Sequence, residues 1–334
     1  MSHGRVVLIG AVHECLAAFD AILASPECEF AGVVTLTPEA GAKVSGTVDI
    51  ASRASEHQIP VVLVEDVNAP QSVAAIRALA PDLVAVVGWT RLIHDELLEL
   101  PTHGCIGFHA SLLPHNRGRA PVNWAIIRGE RETGNTMMLL NSGVDTGGVV
   151  DQRSTPIDPE DTCATVYERV AALGASMLTD NLGPLLRGEV VPRRQDESRA
   201  NLLPKRVPLM GVTDWRRSAQ EIHDWIRAQT DPYPGAFTHL EGERLTLWRS
   251  TPPGSSDSPA APGTVVAVDR TGLTVATGSG TILITEVGTS VHPHLHAHEW
   301  AARAGLSVGA RLDQPSDAWV AWSLGHGPRP EETR

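Results

Sequence analysis

Gly107-Phe108-His109-Ala110-Ser111-Leu112-Leu113-Pro114 is the stretch whose reading decides the fold. It reads as the end of a buried strand that starts at Ile106 and breaks at Pro114, because proline cannot donate to a central ladder. His109 then sits where strand gives way to loop. In an open α/β sheet that edge is where ligands bind. Downstream, Gly143-Val144-Asp145-Thr146-Gly147 carries an Asp on a glycine-flanked turn, between a strand over 135–140 and one opening at Val149. A strand-end His with an Asp from a later turn suits acid/base chemistry. A structural His beside a turn Asp is the other reading.

Working outward, apolar strands over 5–10, 30–36, 59–64 and 82–87 alternate with helical segments such as 15–23 and 72–79. This alternation predicts a Rossmann-like parallel sheet with right-handed crossovers. The first turn, Leu8-Ile9-Gly10-Ala11-Val12-His13, lacks the Gly-x-Gly-x-x-Gly pattern, so dinucleotide binding is not supported. Gly88-Trp89-Thr90-Arg91-Leu92-Ile93 follows the fourth strand and should lie at the carboxyl edge beside His109. Pro121 is placed to start a helix. Arg117 and Arg119 before it suit a carboxylate or phosphate, or else brace the loop.

The 107–114 stretch, Arg117-Gly118-Arg119-Ala120-Pro121 and the 143–147 turn together resemble folate-dependent formyltransferases. The pattern there is Asn-x-His-x-Ser-Leu-Leu-Pro, then an Arg-Gly loop, then Gly-x-Asp-x-Gly. The resemblance covers most of the chain. It implies 10-formyltetrahydrofolate as cofactor, bound around Gly88, Trp89, Leu92, Ser111, Leu112, Leu113, Pro114 and Asp145. It also implies His109 and Asp145 as the catalytic pair: His109 donating to an oxyanion or shuttling a proton, Asp145 orienting and charging the ring. The Arg117 to Asn123 segment looks most like the aminoarabinose branch, which makes Arg117, Arg119 and Asn123 the expected acceptor-binding residues.

One position departs from the pattern. Gly107 stands where the family usually carries Asn, on the same strand face as His109. Loss of one oxyanion donor costs ~10² to 10³ in turnover, so a backbone N–H, a water or Asn141 would have to substitute.

The expected layout is a formyltransferase domain over 1–187, a linker over 188–204, a small OB-like β-barrel domain over 205–312 and a polar, disordered tail over 313–334. The Pro/Ser segment 251–263 reads as a mobile loop. Asp and Glu outnumber Lys and Arg, 39 to 27, for a net charge of −12. That balance disfavours a broad nucleic-acid footprint and favours a small-molecule partner. No apolar run approaches the ~20 residues that span a bilayer, and the opening residues pass straight into a strand, so no membrane partner and a cytoplasmic location are expected. Cys15, Cys28, Cys105 and Cys163 are far apart and read as free thiols. His292-Pro293-His294-Leu295-His296-Ala297-His298 reads as a solvated connection and not a metal site.

The function expected is formyl transfer to a primary amine of a small molecule, such as an amino-sugar nucleotide. Three alternatives stand beside it. Gly107 resembles the hydrolase domain of formyltetrahydrofolate dehydrogenase, with water as acceptor. Methionyl-tRNA formyltransferases share the fold but carry a basic insertion after the second strand, whereas 35–43 here holds one Lys and one Glu, so nucleic acid is disfavoured. A folate-binding sensor is weighed against by His109 and Asp145 both being kept.

Overall fold

The computed structural model describes residues 4–44, 46–252 and 258–331, so part of the 251–263 segment lies outside the described residues. The chain divides into two compact units. The first comprises 1–117, 134–155 and 168–202, and the second 118–133, 156–167 and 203–334.

The first unit is built on strands β1 (Gly4–Ile9), β2 (Cys28–Leu36), β3 (Val61–Val64), β4 (Leu83–Val86) and β5 (Cys105–His109). Between them run helices α1 (Glu14–Ala24), α2 (Pro38–Gly41), α3 (Ile50–Glu56), α4 (Pro70–Ala78) and α5 (Asp95–Leu98). The short strand β6 (Arg117–Gly118) and helix α6 (Pro121–Ile127) lead to β7 (Glu132–Leu139) and β8 (Val149–Pro156). Helix α7 (Cys163–Leu186) follows, and its first turn is capped by Thr162 Oγ1 accepting from Thr165 N at 3.4 Å.

The sheet order is β3-β2-β1-β4-β5-β7-β8. Its first five strands are parallel, as the alternation predicts, and β7 then pairs antiparallel with β5. The apolar run of β1 explains its central place. Val6 and Leu8 enter one core with Phe19, Ile22 and Met177, while Val7 and Ile9 enter the other with Ile76 and Leu97. A strand buried on both faces has no polar side to show. Cys15, Ala18, Phe19 and Ile22 give α1 one buried stripe at helical spacing. Each such large side chain contributes about 1.5–3 kcal/mol on burial.

Helix α6 belongs to the second unit, and the paired strands β6 and β9 (Leu202–Leu203) each run from the first unit into the second. Helix α8 (Ala219–Arg227) starts with a capping box between Ser218 and Glu221. Strands β10 (Ala236–Leu240), β11 (Glu243–Ser250), β12 (Val265–Asp269), β13 (Gly272–Ala276) and β14 (Thr281–Gly288) form an antiparallel sheet in the order β10-β11-β14-β13-β12. The short β15 (Leu295–His296) pairs with β14. An antiparallel sheet domain thus stands where a small OB-like β-barrel is expected. Helices α9 (Ala297–Ala304) and α10 (Asp317–Ser323) complete it.

Helix α10 lies inside the stretch expected as a polar tail. The Arg206 guanidinium reaches it, donating to Ser323 O at 3.2 Å while stacked 4.7 Å from the Trp124 ring and 4.9 Å from that of Trp225. Burial among those rings pushes its pKa down to about 10. The expected linker also has structure: residues up to 202 pack with the first unit, where Arg193 and Val149 exchange both backbone hydrogen bonds at 2.8 Å.

All four cysteines are free, and burial pushes the thiols of Cys15, Cys105 and Cys163 up to about 12. The histidine tract serves separate local purposes. His294 stacks on Trp248 at 4.8 Å and meets Glu286 at 2.8 Å, His292 accepts from Arg303, and His296 caps α9. Among the described residues no group of three or more His, Cys, Asp or Glu is arranged to hold a metal ion, and no helix is long and apolar enough to cross a membrane.

Candidate active site

His109 is the last residue of β5, 7% exposed, opposite Thr136 of β7. Its ring is held at both ends. Nε2 lies 2.7 Å from the Asn116 carbonyl, which can only accept, so Nε2 carries a proton and donates. Nδ1 lies 3.5 Å from Asp145 Oδ2. The two expected catalytic residues are thus together and largely buried, with side chains 8% and 18% exposed.

This tautomer leaves Nδ1 facing a carboxylate. With Nε2 committed to a backbone carbonyl, Nδ1 is the ring nitrogen that faces Asp145. Donation from Nδ1 to an oxyanion requires that it carry a proton too.

The β5/β7 register makes this pairing less obvious than the sequence suggests. Leu139, the last residue of β7, pairs with Ile106, three residues upstream of His109. The following turn must therefore fold back along β5. It does so through left-handed backbone at Asp145, φ 53°, and through Gly147, where an added β-carbon would stand 1.8 Å from Leu139 O.

The loop after His109 is held by residues that the sequence reading did not single out. Thr136 Oγ1 donates to Ser111 O at 2.6 Å and accepts from Leu113 N at 3.2 Å. Gln152 Nε2 donates to Leu113 O at 2.9 Å. Ser111 is buried and its hydroxyl donates to His115 O at 2.6 Å, while the Leu112 carbonyl accepts from His115 N at 3.1 Å. Leu113 and Pro114 are buried too. These expected cofactor residues thus have their polar groups committed to the shape of the loop.

The Gly88 loop behaves differently. Gly88 has φ 63°, its carbonyl accepts from Ala11 N and Val12 N, and an added β-carbon would stand 2.9 Å from Val12 O. Trp89 packs beside Ala11, Leu36 and Ala40, and its buried indole Nε1 has no hydrogen-bond partner among the described residues. A donor left in that state fits a ligand that brings an acceptor. Leu92 is 61% exposed with its carbonyl accepting from Asn68 at 2.9 Å. A cleft of about 450 Å³ lies nearby at the ends of β2 and β3, lined by Ala11, Thr35, Leu36, Thr37, Thr47 and Asp49. It is separate from the His109–Asp145 pair.

The expected acceptor residues divide. Arg117 is 6% exposed and spent internally, its guanidinium donating to both Glu197 oxygens at 2.8 Å and to Gln195 Oε1 at 2.7 Å. The hydrogen bond to Glu197 raises Arg117 above its ordinary pKa and holds the Glu197 carboxyl below its own. Asn123 is buried in the seven-residue α6, donating to Ala228 O at 2.6 Å and accepting from Tyr167 at 3.3 Å. The anion site expected at that helix start is therefore not offered, because the whole helix is buried. Arg119 alone is exposed.

Comparison with known proteins agrees with this architecture. The family described as formyl transferase matches residues 6–182, and the formyl transferase C-terminal domain matches 208–305. Methionyl-tRNA formyltransferase of Geobacter sulfurreducens is 40% identical over 261 residues, 78% of this chain and 81% of that protein. The Bacillus subtilis protein of the same name is 32% identical, covering 84% and 89%. In solved structures, HypX from Aquifex aeolicus with tetrahydrofolic acid superposes with TM-score 0.63 at 20% identity, over 92% of this chain and about half of HypX, 48%. An N-formyltransferase from Helicobacter canadensis, in complex with folinic acid and dTDP-3-aminofucose, also gives 0.63, at 16% identity over 85% and 98%. With both domains matched and a His109–Asp145 pair at the end of β5, the chain belongs to the formyl transferase family and is an enzyme that transfers formyl groups.

Proposed function

We propose that this enzyme moves the formyl group of 10-formyltetrahydrofolate to the primary amine of methionyl-tRNA. The observation that carries the transfer chemistry is the 3.5 Å approach of Asp145 to His109 Nδ1 at the end of β5. The tRNA acceptor rests on relatives up to 40% identical over most of their length, and it replaces the small-molecule acceptor as the first reading. A cytoplasmic site of action belongs to the same reading.

When bound, the folate supplies the formyl carbon on N10 and takes back the electron pair of the bond that breaks. His109 Nδ1, with Asp145 beside it, would accept the one proton that the amine sheds as its nitrogen bonds to the formyl carbon, and would hold it for the nitrogen that leaves. The Asn116 carbonyl and the Asp145 carboxylate stabilise the ring while it holds that proton. The unpartnered Trp89 Nε1 and the closely approached Gly88 backbone support a folate site beside β4.

A second reading is a small anionic amine. It is favoured by the 35–43 segment, where β2 runs into the four-residue α2 with no basic insertion, and by the exposed Arg119. Tetrahydrofolate release is measured with methionyl-tRNA, with a panel of amino-sugar nucleotides and with buffer alone, the products being weighed by mass spectrometry. Formyl-methionyl-tRNA supports the first reading and a formylated sugar the second. Rapid formate release that no amine diverts would replace both with a hydrolase.

A further inference from the structure

Residues 193–201, within the 188–204 stretch expected as a linker, belong to the first unit, meeting Asp145 directly and His109 only through Asn116. Gln195 Nε2 donates to Asp145 O at 2.9 Å and to Gly147 O at 2.8 Å, spanning the turn that folds back along β5. Its Oε1 accepts from Arg117 Nη2 at 2.7 Å and Nε at 3.2 Å, which settles the orientation of the amide. Arg117 is in turn fixed by its fork onto Glu197. Six residues past Gln195, Asn201 Oδ1 accepts from Asn116 N at 2.8 Å and Asn201 O accepts from Arg117 N at 3.1 Å. Asn116 is the residue whose carbonyl holds His109 Nε2.

Both supported residues are non-glycines in left-handed backbone, Asp145 at φ 53° and Asn116 at φ 61°. Asn and Asp enter that conformation more readily than other side chains, and the same segment hydrogen-bonds to both turns, once on each side of the pair.

We propose that Gln195, oriented by Arg117 and Glu197, is a positioning residue that sets the Asp145 carboxylate against His109. Asn201 performs the matching service for His109 through Asn116. The inference rests on the reading of His109 and Asp145 as the catalytic pair.

The test is a double-mutant cycle with the full-length enzyme, using 10-formyltetrahydrofolate and methionyl-tRNA, or an amino-sugar nucleotide if that is what is formylated. Gln195→Ala lowers kcat at least ten-fold with the folate KM within three-fold, because a 1 Å displacement at a reacting group is enough for that. In an Asp145→Asn background the same change costs less than two-fold, since the residue it positions is already gone. A merely structural role would cost the same factor in both backgrounds and overturns the inference. If His109→Ala and Asp145→Asn keep wild-type turnover, the catalytic reading itself fails. If they lower turnover sharply but measurably while Gln195→Ala stays within two-fold of wild type, the inference alone fails.

A second measurement is independent of turnover and of the acceptor. The ring resonances of His109 in isotope-labelled protein, assigned by the peaks lost in His109→Gln, shift in Gln195→Ala in the direction they shift in Asp145→Asn. Unchanged resonances overturn the inference. Should Gln195→Ala not fold, Arg117→Lys, which loses the fork but keeps the charge, is read the same way.

Discussion

Leu140 lies across Gly107: a β-carbon built on Gly107 would stand 2.7 Å from Leu140 Cδ2 and 3.2 Å from its Cγ. Leu140 N donates to Cys105 O at 2.7 Å, which fixes its backbone on the same strand, and its side chain packs against the core that holds Val7, Ile9 and Cys105. The place where an Asn amide would begin is filled by a hydrocarbon group.

Gly107→Asn alone should push the half-buried Leu140 side chain aside, a cost at the low end of about 1–3 kcal/mol because the close contact is with the far end of a flexible side chain. Gly107→Asn with Leu140→Ala relieves the contact and should turn over at least ten-fold faster than the single variant, approaching the ~10²-fold worth of an oxyanion donor. Urea unfolding and initial rates measure the two effects. Equal rates in single and double variants would show that this position does not face the formyl oxygen.

His109→Ala and Asp145→Asn should each lower turnover by at least ~10²-fold while folate affinity stays within a few-fold, since the proton route is used in the transition state and not in binding. Calorimetric titration with a folate and single-turnover rates give the two numbers. A parallel loss of affinity and rate would make the pair a binding element instead.

Arg119→Ala and Arg117→Ala should separate. Arg119 is exposed, and its loss should raise the acceptor KM about ten-fold with thermal stability unchanged. Arg117 is buried, and its loss removes the donors to Gln195 Oε1 while the exposed Glu197 turns to water, so thermal stability should fall as well as rate. The same pattern of effects in both variants would contradict this division.

Stability should fall on mild acidification because of His223. It is buried in α8, with Nε2 donating to Pro159 O at 3.1 Å and Nδ1 accepting from Ser250 at 2.8 Å, and burial lowers its pKa below the ordinary 6.5. The unfolded chain then takes up the proton first. The stability held by the neutral ring is whole above that ordinary value and is lost as pH falls through it toward the lower folded value, by at most ~1.4 kcal/mol per pH unit. Urea midpoints between about pH 7.5 and pH 5 should show this decline, flattened in His223→Gln. A variant with the wild-type slope would assign the decline to another group.

Much of the first unit was legible in the sequence because it is written in local pattern. The continuous apolar runs of β1, β2 and β4 and the helical spacing in α1 allow little else than buried parallel strands with covering helices. His109 at a strand end and Asp145 on a glycine-flanked turn were readable for the same reason. Tertiary structure alone decided how they are held, since that depends on contacts between residues far apart in the chain. The fold-back of the 140–148 turn follows from the β5/β7 register, which no local pattern encodes. Gln195 reaches Asp145 across fifty residues and Asn201 reaches Asn116 across eighty-five, from a polar stretch whose composition reads as linker. Arg117 and Arg119, two residues apart and alike in sequence, part company for the same reason: Glu197 and Gln195 lie within reach of Arg117, whose paired, buried guanidinium braces the loop, while Arg119 stays exposed.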